Sequence, residues 1–265
     1  MIVQPRFAST VMLLRDVPAQ GAGIEVFMVR RVVQSEFMPD VYVFPGGSVI
    51  SDDLLLEEGS GPCRAVAPSS ADPEGRTALG SGLRVAAIRE LFEEANVLLA
   101  YRDKHILSIG EDALSRFEAY RRALNERKES LSAIVQVEQL VLATDTLAYF
   151  AHWITPEGMP KRFDTHFFLA VTPSEQEALY DQLETSEGTW FRPTEVMERF
   201  QRGEMPVALP TFHQLRDLSA FKSVQEALQA ASARYVSLIF RALCRKKGDL
   251  MCIYPKILKG PGRSK

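Results

Sequence analysis

Three glutamates next to an arginine form the part of this sequence best suited to chemistry. Residues 89–94 read Arg-Glu-Leu-Phe-Glu-Glu, within a segment, Leu83–Ala95, whose apolar residues recur with the period of an α-helix. At about 100° of rotation per residue, Glu93 and Glu94 lie within about 60° of Glu90, one on each side of it. The apolar residues fall on the opposite side and are expected to face the core. The sequence therefore predicts an amphipathic helix with a ridge of three carboxylates.

Such a ridge needs an explanation, because like charges three or four residues apart repel by a few tenths of a kcal/mol. One interpretation is a solvated acidic face, which is common on surface helices. The other is a site for a hard divalent cation. Mg²⁺ prefers oxygen ligands and is usually held by one or two carboxylates together with substrate phosphates.

A strand predicted at residues 41–44 runs directly into Pro45, Gly46 and Gly47. Proline and paired glycines are expected to turn the chain out of the sheet at this point. Glycine also lets the backbone come close to a ligand. We therefore favour the metal-site interpretation of the glutamate ridge.

The elements around the ridge are mixed strands and helices without an internal repeat, which is typical of one layered α/β unit. Strands are predicted at residues 7–14, 24–29, 41–44, 148–154 and 165–171, and helices at residues 83–95, 112–131, 175–183, 193–202, 210–218 and 223–247. Residues 54–82 are rich in Gly, Pro and Ser and are interpreted as a loop or insertion. We expect one domain over residues 1–222, followed by a C-terminal helix and basic tail over residues 223–265.

The composition is that of an ordinary folded protein, with 46% hydrophobic and 25% charged residues. A net charge of -3 gives no long-range attraction for nucleic acid or anionic membranes. No run approaches the roughly 20 apolar residues of a membrane helix, and residues 1–15 lack the pattern of a signal peptide. The three cysteines form no C-x-x-C pair, which favours a reducing compartment. We therefore expect a cytoplasmic protein that binds neither nucleic acid nor membrane.

Zinc chemistry has no support from the histidines as a sequence pattern. None of them has the spacing of a zinc motif such as H-E-x-x-H, and the four are His105, His152, His166 and His213.

Residues 47–97 resemble the signature of the Nudix hydrolase superfamily, which reads G-x5-E-x7-R-E-U-x-E-E-x-G-U, where U is aliphatic. Gly47 matches the first glycine and Asp53 falls on the first acidic position, and the second half is matched by Arg89, Glu90, Leu91, Glu93, Glu94 and Val97. Residues 54–88 number 35 where the family has seven, so an insertion splits the motif. Asn96 stands in place of the last glycine. Asparagine is the best non-glycine residue for a left-handed helix end.

This resemblance implies an α/β/α sandwich with a mixed sheet, an insertion inside the Nudix box and additional C-terminal helices. It implies that Glu90, Glu93 and Glu94 bind Mg²⁺ or Mn²⁺, with a carbonyl of Gly46 or Gly47 as a further ligand. Arg89 would orient the neighbouring carboxylates. In such enzymes the metal polarises a diphosphate, and a bound water attacks phosphorus.

Nudix enzymes often take a further acid from a later loop, as a metal ligand or as the general base. Glu184 and Glu187, just before Trp190, are the candidates by position. A solvent-exposed loop acid is the alternative interpretation for each of them.

Similarity over most of residues 7–218 extends to the split-box branch that includes the peroxisomal coenzyme A diphosphatases, and it is carried by residues 37–39, 43–47, 87–95, 153–156 and 162–165. This implies a nucleotide-linked diphosphate, with coenzyme A or an acyl derivative as the leading substrate. The related coenzyme A signature L-L-T-x-R-[S/A]-x3-R-x3-G-x3-F-P-G-G places Arg31 at its first arginine. Glu36 and Asp40 occupy its second arginine and its glycine, which disfavours coenzyme A. Arg31 and Arg162 are candidates for phosphate contacts, with surface solvation as the alternative.

A different class of function is a degenerate Nudix domain that senses a ligand or binds a partner, with the basic tail at residues 246–265 as the contact. The intact Glu90, Glu93 and Glu94 favour an enzyme that acts on a small-molecule diphosphate. The oligomeric state stays open, with a homodimer as one alternative.

Overall fold

A computed structural model describes residues 3–18, 22–35, 38–58, 61–66 and 81–233, together with the backbone of three short strands between residues 238 and 252. The strands are β1 (Arg6–Asp16), β2 (Ile24–Arg31), β3 (Tyr42–Val43), β4 (Gly46–Ser48), β5 (Ala100–Arg102), β6 (His105–Ile106), β7 (Val141–Leu142), β8 (Ala148–Ile154), β9 (Phe163–Val171), β10 (Thr185–Phe191), β11 (Leu238–Phe240), β12 (Leu243–Lys246) and β13 (Asp249–Cys252). The helices are α1 (Ser51–Glu57), α2 (Leu83–Ala95), α3 (Glu111–Asn125), α4 (Leu131–Val137), α5 (Pro193–Gln201), α6 (Leu209–Leu218) and α7 (Val224–Ala233).

Eight strands form one mixed sheet, in the order β10-β2-β1-β9-β8-β11, with β3 beside β2 and β4 beside β1. The central strand β1 pairs in parallel with β9, from Arg6 opposite Phe163 to Leu14 opposite Val171. It pairs antiparallel with β2 and β4. Separate small sheets are formed by β6-β5-β7 and by β12-β13. The mixed sheet that the resemblance implied is confirmed.

Helices cover both faces of the sheet. Successive residues of β1 point to opposite faces, so this strand contributes side chains to both layers. Val11 and Leu13 pack into one core with α2, whereas Met12 and Leu14 belong to a second core with α5, α6 and α7. All four side chains are fully buried, as expected for a strand that is covered on both faces. The three layers form the α/β/α sandwich that the resemblance implied.

The helix expected at residues 112–131 is two helices, α3 and α4. Arg127, between them, has a φ of 54°, which a helix does not tolerate. The side chain of Ser130 then accepts a hydrogen bond from the N–H of Ala133 at 3.2 Å and caps a new helix.

Residues 175–183 form an irregular segment, so the helix predicted there is wrong. The side chain of Gln176 accepts from the N–H of Leu98 and donates to the carbonyls of Leu98 and Leu107. The N–H of Leu179 donates to the carbonyl of Ala95. Bonds to distant backbone thus take the place of the bonds a local helix would make.

The helix predicted at residues 223–247 is also wrong in its extent. It ends with α7 at Ala233, and the backbone of Leu238–Phe240 pairs in parallel with β8 as strand β11. Residues 234–237, 241–242, 247–248 and 253–265 of that helix and of the basic tail lie outside the described residues.

The Gly/Pro/Ser-rich insertion begins later than residue 54. Residues 51–57 form α1, whose Leu56 and Glu57 are buried against the rest of the domain. Residues 59–60 and 67–80 of the expected insertion lie outside the described residues. The inserted segment therefore lies between α1 and Gly82, the residue before α2.

Candidate active site

The two glycines after Pro45 bring a short strand against the glutamate helix. Instead of the turn predicted from the sequence, Gly46–Ser48 is strand β4, paired with Ala8–Thr10 of β1. The N–H of Gly46 donates to Oε2 of Glu94 at 3.0 Å. A Cβ atom on Gly47 would lie 2.3 Å from Oε1 of Glu90, closer than any real contact. Only glycine allows the backbone and these carboxylates to approach so closely.

The glutamate ridge is buried, so it is not the solvated acidic face that was the alternative interpretation. Glu90 is 9% exposed and Glu94 5% exposed, and Glu93 is partly buried. Burial raises the pKa of all three carboxyls, to about 7 for Glu93, and their mutual repulsion adds to this for Glu93 and Glu94. A cation on the ridge would reverse both effects, because an opposite charge favours the ionised form.

Arg89 joins the two halves of the split motif. Its guanidinium donates to both oxygens of Asp53 at 2.9 and 3.0 Å, to Oε1 of Glu90 at 2.7 Å and to Oε2 of Glu93 at 3.2 Å. It also donates to the carbonyl of Ser48 at 2.8 Å. Burial would lower the pKa of Arg89, but these carboxylates outweigh it and raise the pKa. The expectation that Arg89 orients the neighbouring carboxylates agrees with these contacts.

Asp53 is fully buried and accepts hydrogen bonds from the start of α1 and from Arg89. Its Oδ2 accepts from the N–H of Ile50 at 2.9 Å, which caps the first turn of α1. The insertion after α1 therefore leaves the first acidic position of the motif tied to the arginine of the second half.

Both ends of α2 are fixed by features beyond its own hydrogen bonds. Asn96 ends the helix with a φ of 61°, as predicted, and its N–H donates to the carbonyls of Leu91 and Phe92. At the other end, buried Glu57 accepts a short hydrogen bond from the N–H of Gly82. Burial raises the pKa of Glu57 to about 7. No local pattern in the sequence indicates a role for this carboxylate, because its contact with Gly82 joins α1 to the start of α2 across the insertion.

A cavity of about 870 Å³ opens beside the ridge. One part of its wall carries Glu90, Glu93, Glu94 and the backbone of β4, and another part is apolar, with Trp153, Ile154, Met159, Phe163, Phe167 and Pro210. A pocket that joins a few polar groups to an apolar wall is typical of a small-molecule site.

Glu184 and Glu187 take different positions. Glu184 lines the cavity and adds its charge to that of Glu90 and Glu94. Glu187 lies on β10, where it accepts a hydrogen bond from the hydroxyl of Tyr42 at 2.6 Å. Of the two later acids, only Glu184 is brought to the ridge.

The two candidate phosphate-binding arginines also differ. Arg31 lines the cavity, and its charge partly offsets the repulsion on Glu94. The guanidinium of Arg162 instead donates to the carbonyls of Thr155 and Val3, at 3.0 and 2.6 Å, and is 6% exposed. The structure therefore gives Arg162 a structural contact rather than a place among the cavity residues.

Asp40 resolves part of the disagreement with the coenzyme A signature. It has a φ of 58°, in the left-handed region that glycine adopts without strain. Its carboxylate pairs with Arg30 at 2.9 Å, so its charge is balanced locally. Glu36, at the second arginine of the signature, and Phe37, in the first matching segment, lie outside the described residues.

A second group of metal-binding residue types lies on β8 and β9, although the spacing of the histidines in the sequence predicts no metal motif. His152, Asp164 and His166 are all buried, and their ligand atoms lie within 4.8 Å of one another. Asp164 and His166 are two residues apart on a strand, which places them on one face. That alternation is the signal in the sequence, whereas the approach of His152 requires the β8–β9 pairing.

Within the described residues, no helix is both long and apolar enough to cross a membrane.

The α/β/α layers, the split motif rejoined by Arg89 and the buried glutamate helix beside β4 define a protein of the Nudix hydrolase class. The family model described as the NUDT19 Nudix domain matches residues 6–218, and the chain belongs to that family.

Individual relatives agree with this family. The chain is 24% identical over 233 residues to "Acyl-coenzyme A diphosphatase NUDT19" of Xenopus laevis, which covers 76% of this chain and 61% of that protein. It is 28% identical over 271 residues to the protein of the same name from Gallus gallus, covering 86% and 72%. Thus the chain spans less than two thirds of the Xenopus relative. A crystal structure of a Nudix hydrolase from Alicyclobacillus acidocaldarius is similar with a TM-score of 0.72 and 26% identity, over 89% of this chain and 99% of that one.

Proposed function

We propose that this protein is a magnesium-dependent diphosphatase that hydrolyses a nucleotide-linked diphosphate, with coenzyme A or an acyl-coenzyme A as the leading substrate. The observation that carries the proposal is the approach of Gly46 and Gly47 to Glu90 and Glu94 at the wall of a cavity large enough for a small molecule. Neither glycine could be replaced without moving the ridge or β1.

The donor set at the ridge fits Mg²⁺, or Mn²⁺, as the bound ion. All of its ligands would be oxygens, from Glu90, Glu93 and Glu94 and from a backbone carbonyl of β4 such as that of Gly47, and hard cations prefer oxygen. Among the described residues, Arg89 is the one basic side chain that ion-pairs with the ridge, so three carboxyl groups share a single guanidinium. When bound, the ion would polarise the diphosphate and neutralise charge on the transferring group.

Residues of the chain supply the remaining roles. Arg89 holds Glu90 and Glu93 in place through charge-assisted hydrogen bonds. Glu184 is the candidate general base, because it lines the cavity near the ridge, and it would accept a proton from the attacking water. Arg31, on the same wall, is placed to pair with a substrate phosphate. Glu187 is a weaker candidate for the general base, because it accepts a hydrogen bond from Tyr42. Arg162 is a weaker candidate for a phosphate contact, because its guanidinium donates to backbone carbonyls.

Two observations support coenzyme A as the substrate. The relatives from Xenopus laevis and Gallus gallus are named acyl-coenzyme A diphosphatases. The apolar wall of the cavity also offers burial to the non-nucleotide part of such a molecule, worth about 25 cal/mol per Å² of apolar surface. The location in the cytoplasm and a catalytic unit over residues 1–222 stay predictions, although α7 adds Ala227 and Ala231 to the second core.

The test is hydrolysis of a panel of diphosphates that includes coenzyme A, acetyl-coenzyme A, ADP-ribose and diadenosine tetraphosphate, with Mg²⁺ or with EDTA. Glu93→Gln and Glu94→Gln should each lower turnover by at least ~100-fold, because a neutral amide is a poorer ligand for a hard cation. Glu195→Gln, an exposed glutamate on α5, is the matched control. Glu184→Gln should lower turnover by about 100-fold or more, and Glu187→Gln should lower it by much less.

Turnover that persists in EDTA, or in both ridge variants, would contradict the metal assignment. Turnover confined to substrates other than coenzyme A esters would contradict only the substrate. A melting temperature that rises with ligand, without any turnover, would indicate a binding module instead.

A further inference from the structure

Strands β8 and β9 place two imidazoles and one carboxylate side by side, apart from the glutamate ridge. His152 lies directly opposite His166 in the strand register, and Asp164 is two residues before His166. The exposed fractions are 3% for His152, 7% for Asp164 and 0% for His166. Fully buried histidine and aspartate on neighbouring strands are rare unless they are paired or bind a metal.

The three side chains converge on one point. Oδ1 of Asp164 is hydrogen-bonded to Nε2 of His152 and lies 3.3 Å from Nε2 of His166. The two imidazole rings are stacked with centroids 4.1 Å apart, and the ring planes differ by 24°. The same nitrogen type of both rings therefore faces a single carboxylate.

We propose that His152, Asp164 and His166 form a binding site for one Zn²⁺ ion. Two imidazole nitrogens and one carboxylate oxygen are a ligand set that zinc uses, with a fourth position left for water. Zinc bonds of about 2.0–2.2 Å place tetrahedral ligands about 3.3 Å apart, which is the observed separation of His166 Nε2 and Asp164 Oδ1. All of the ligand atoms lie within 4.8 Å of one another, and zinc binding would require His152 Nε2 and Asp164 Oδ1 to move apart from their short hydrogen bond.

Tyr149 supports this ligand arrangement from outside the cluster. Its hydroxyl lies 3.1 Å from Nδ1 of His166, and its ring stacks on the same imidazole at 5.6 Å. When Nε2 of His166 binds a metal, the ring proton resides on Nδ1 and can be donated to this hydroxyl. A hydrogen bond to the second nitrogen is the usual way in which a metal-binding imidazole is oriented.

The ligand atoms of the cluster also suit a divalent ion. Asp164 supplies one carboxylate oxygen, and the two histidines supply imidazole nitrogens. Imidazole selects zinc and its transition-metal neighbours, whereas the all-oxygen glutamate ridge selects magnesium. The two sites would therefore hold different metals.

The test measures zinc binding by the full chain in the presence of excess Mg²⁺, which occupies the glutamate ridge. Zn²⁺ is titrated against a chromophoric chelator, and Co²⁺ replaces it for visible absorption, where a tetrahedral site gives intense bands. His152→Gln and Asp164→Asn should each weaken zinc binding by at least 100-fold, whereas Glu93→Gln should bind zinc as the parent does. One equivalent of zinc per chain with this pattern is the expected result.

A measurement on the unaltered chain covers the case in which these variants misfold. Zinc should shift the imidazole ¹⁵N resonances of two of the four histidines and leave those of His105 and His213 in place. Zinc binding that is lost in Glu93→Gln but retained in His152→Gln would overturn the proposal. So would the absence of zinc binding at micromolar concentration, or ¹⁵N shifts at other histidines.

Discussion

Replacing Gly47 with alanine is the sharpest test of the close approach between β4 and the glutamate helix. The added Cβ would lie 2.3 Å from Oε1 and 2.5 Å from Cδ of Glu90, whereas ordinary contacts begin near 3.4 Å. The carboxylate must therefore retreat by about 1 Å. It has little room to do so, because Oε1 also accepts the 2.7 Å hydrogen bond from Arg89.

A displacement of this size has a predictable effect on turnover. Misplacing a catalytic group by about 1 Å costs on the order of 100-fold in rate, equivalent to about 2.7 kcal/mol of transition-state stabilisation. The fold should survive, since the clash is with a side-chain carboxylate. Gly46→Ala should behave differently, because its Cβ would lie 2.4 Å from the backbone carbonyl oxygen of Ser9. That variant should lose stability as well as turnover.

The assay is kcat/KM for the best diphosphate substrate at saturating Mg²⁺, together with a thermal melt of each variant. Gly110→Ala is the matched control, because Gly110 is exposed and its Cβ would meet only a carboxylate oxygen of Asp112 at 2.9 Å. A Gly47→Ala variant with normal kcat/KM would refute the close approach. Equal melting temperatures for Gly46→Ala and Gly47→Ala would refute the distinction between backbone and side-chain clashes.

Three further outcomes concern stability. Asn96→Gly should change the free energy of unfolding by less than about 0.5 kcal/mol. Asn96→Val should lower it by about 1–2 kcal/mol, because a β-branched residue resists the left-handed conformation. Equal urea midpoints for the two variants would contradict this expectation. Burial raises the pKa of Glu57 to about 7, so the folded state favours its protonated form. The contribution of Glu57 to the free energy of unfolding should therefore fall by up to about 3 kcal/mol as pH rises from about 4.5 to about 7 and then level off. Glu57→Gln should remove this contribution and leave that of the ridge carboxyls, so the pH slope measured by urea denaturation from pH 5 to 8 should be smaller in the variant than in the parent. Asp53→Asn leaves Arg89 with Glu90 and Glu93 but without its bidentate partner and should cost roughly 1.5–3 kcal/mol, and a parent-like melt would show that the pair is not needed.

The helix of glutamates and most strands could be predicted because their signals are local. The spacing of Glu90, Glu93 and Glu94 sets one face of α2, and Asn96 marks its end, so neither needs knowledge of distant residues. The same reasoning failed for residues 175–183, where Gln176 bonds to the backbone of Leu98 and Leu107.

Some contacts at the site could not be predicted from the sequence, because they join residues that are distant in the chain. Asp53 meets Arg89 across the insertion, a separation of 36 residues. Glu57 reaches Gly82 across the same insertion. The approach of His152 to Asp164 follows from the pairing of β8 with β9. In each case the partner is chosen by tertiary packing, which no short pattern records.

The position of β1 in the sheet has a consequence for how the chain folds during synthesis. Arg6 pairs with Phe163, so the middle of the sheet joins two segments that are synthesised about 160 residues apart. At about 5–20 residues per second, β1 waits on the order of ten seconds or more for β9. During that interval one side of an apolar strand has no native partner, which is the kind of surface that chaperones bind. Parallel pairing over such a separation is also intrinsically slow. The same strand that holds β4 against the glutamates thus leaves an unpaired edge that favours aggregation until β9 has been made.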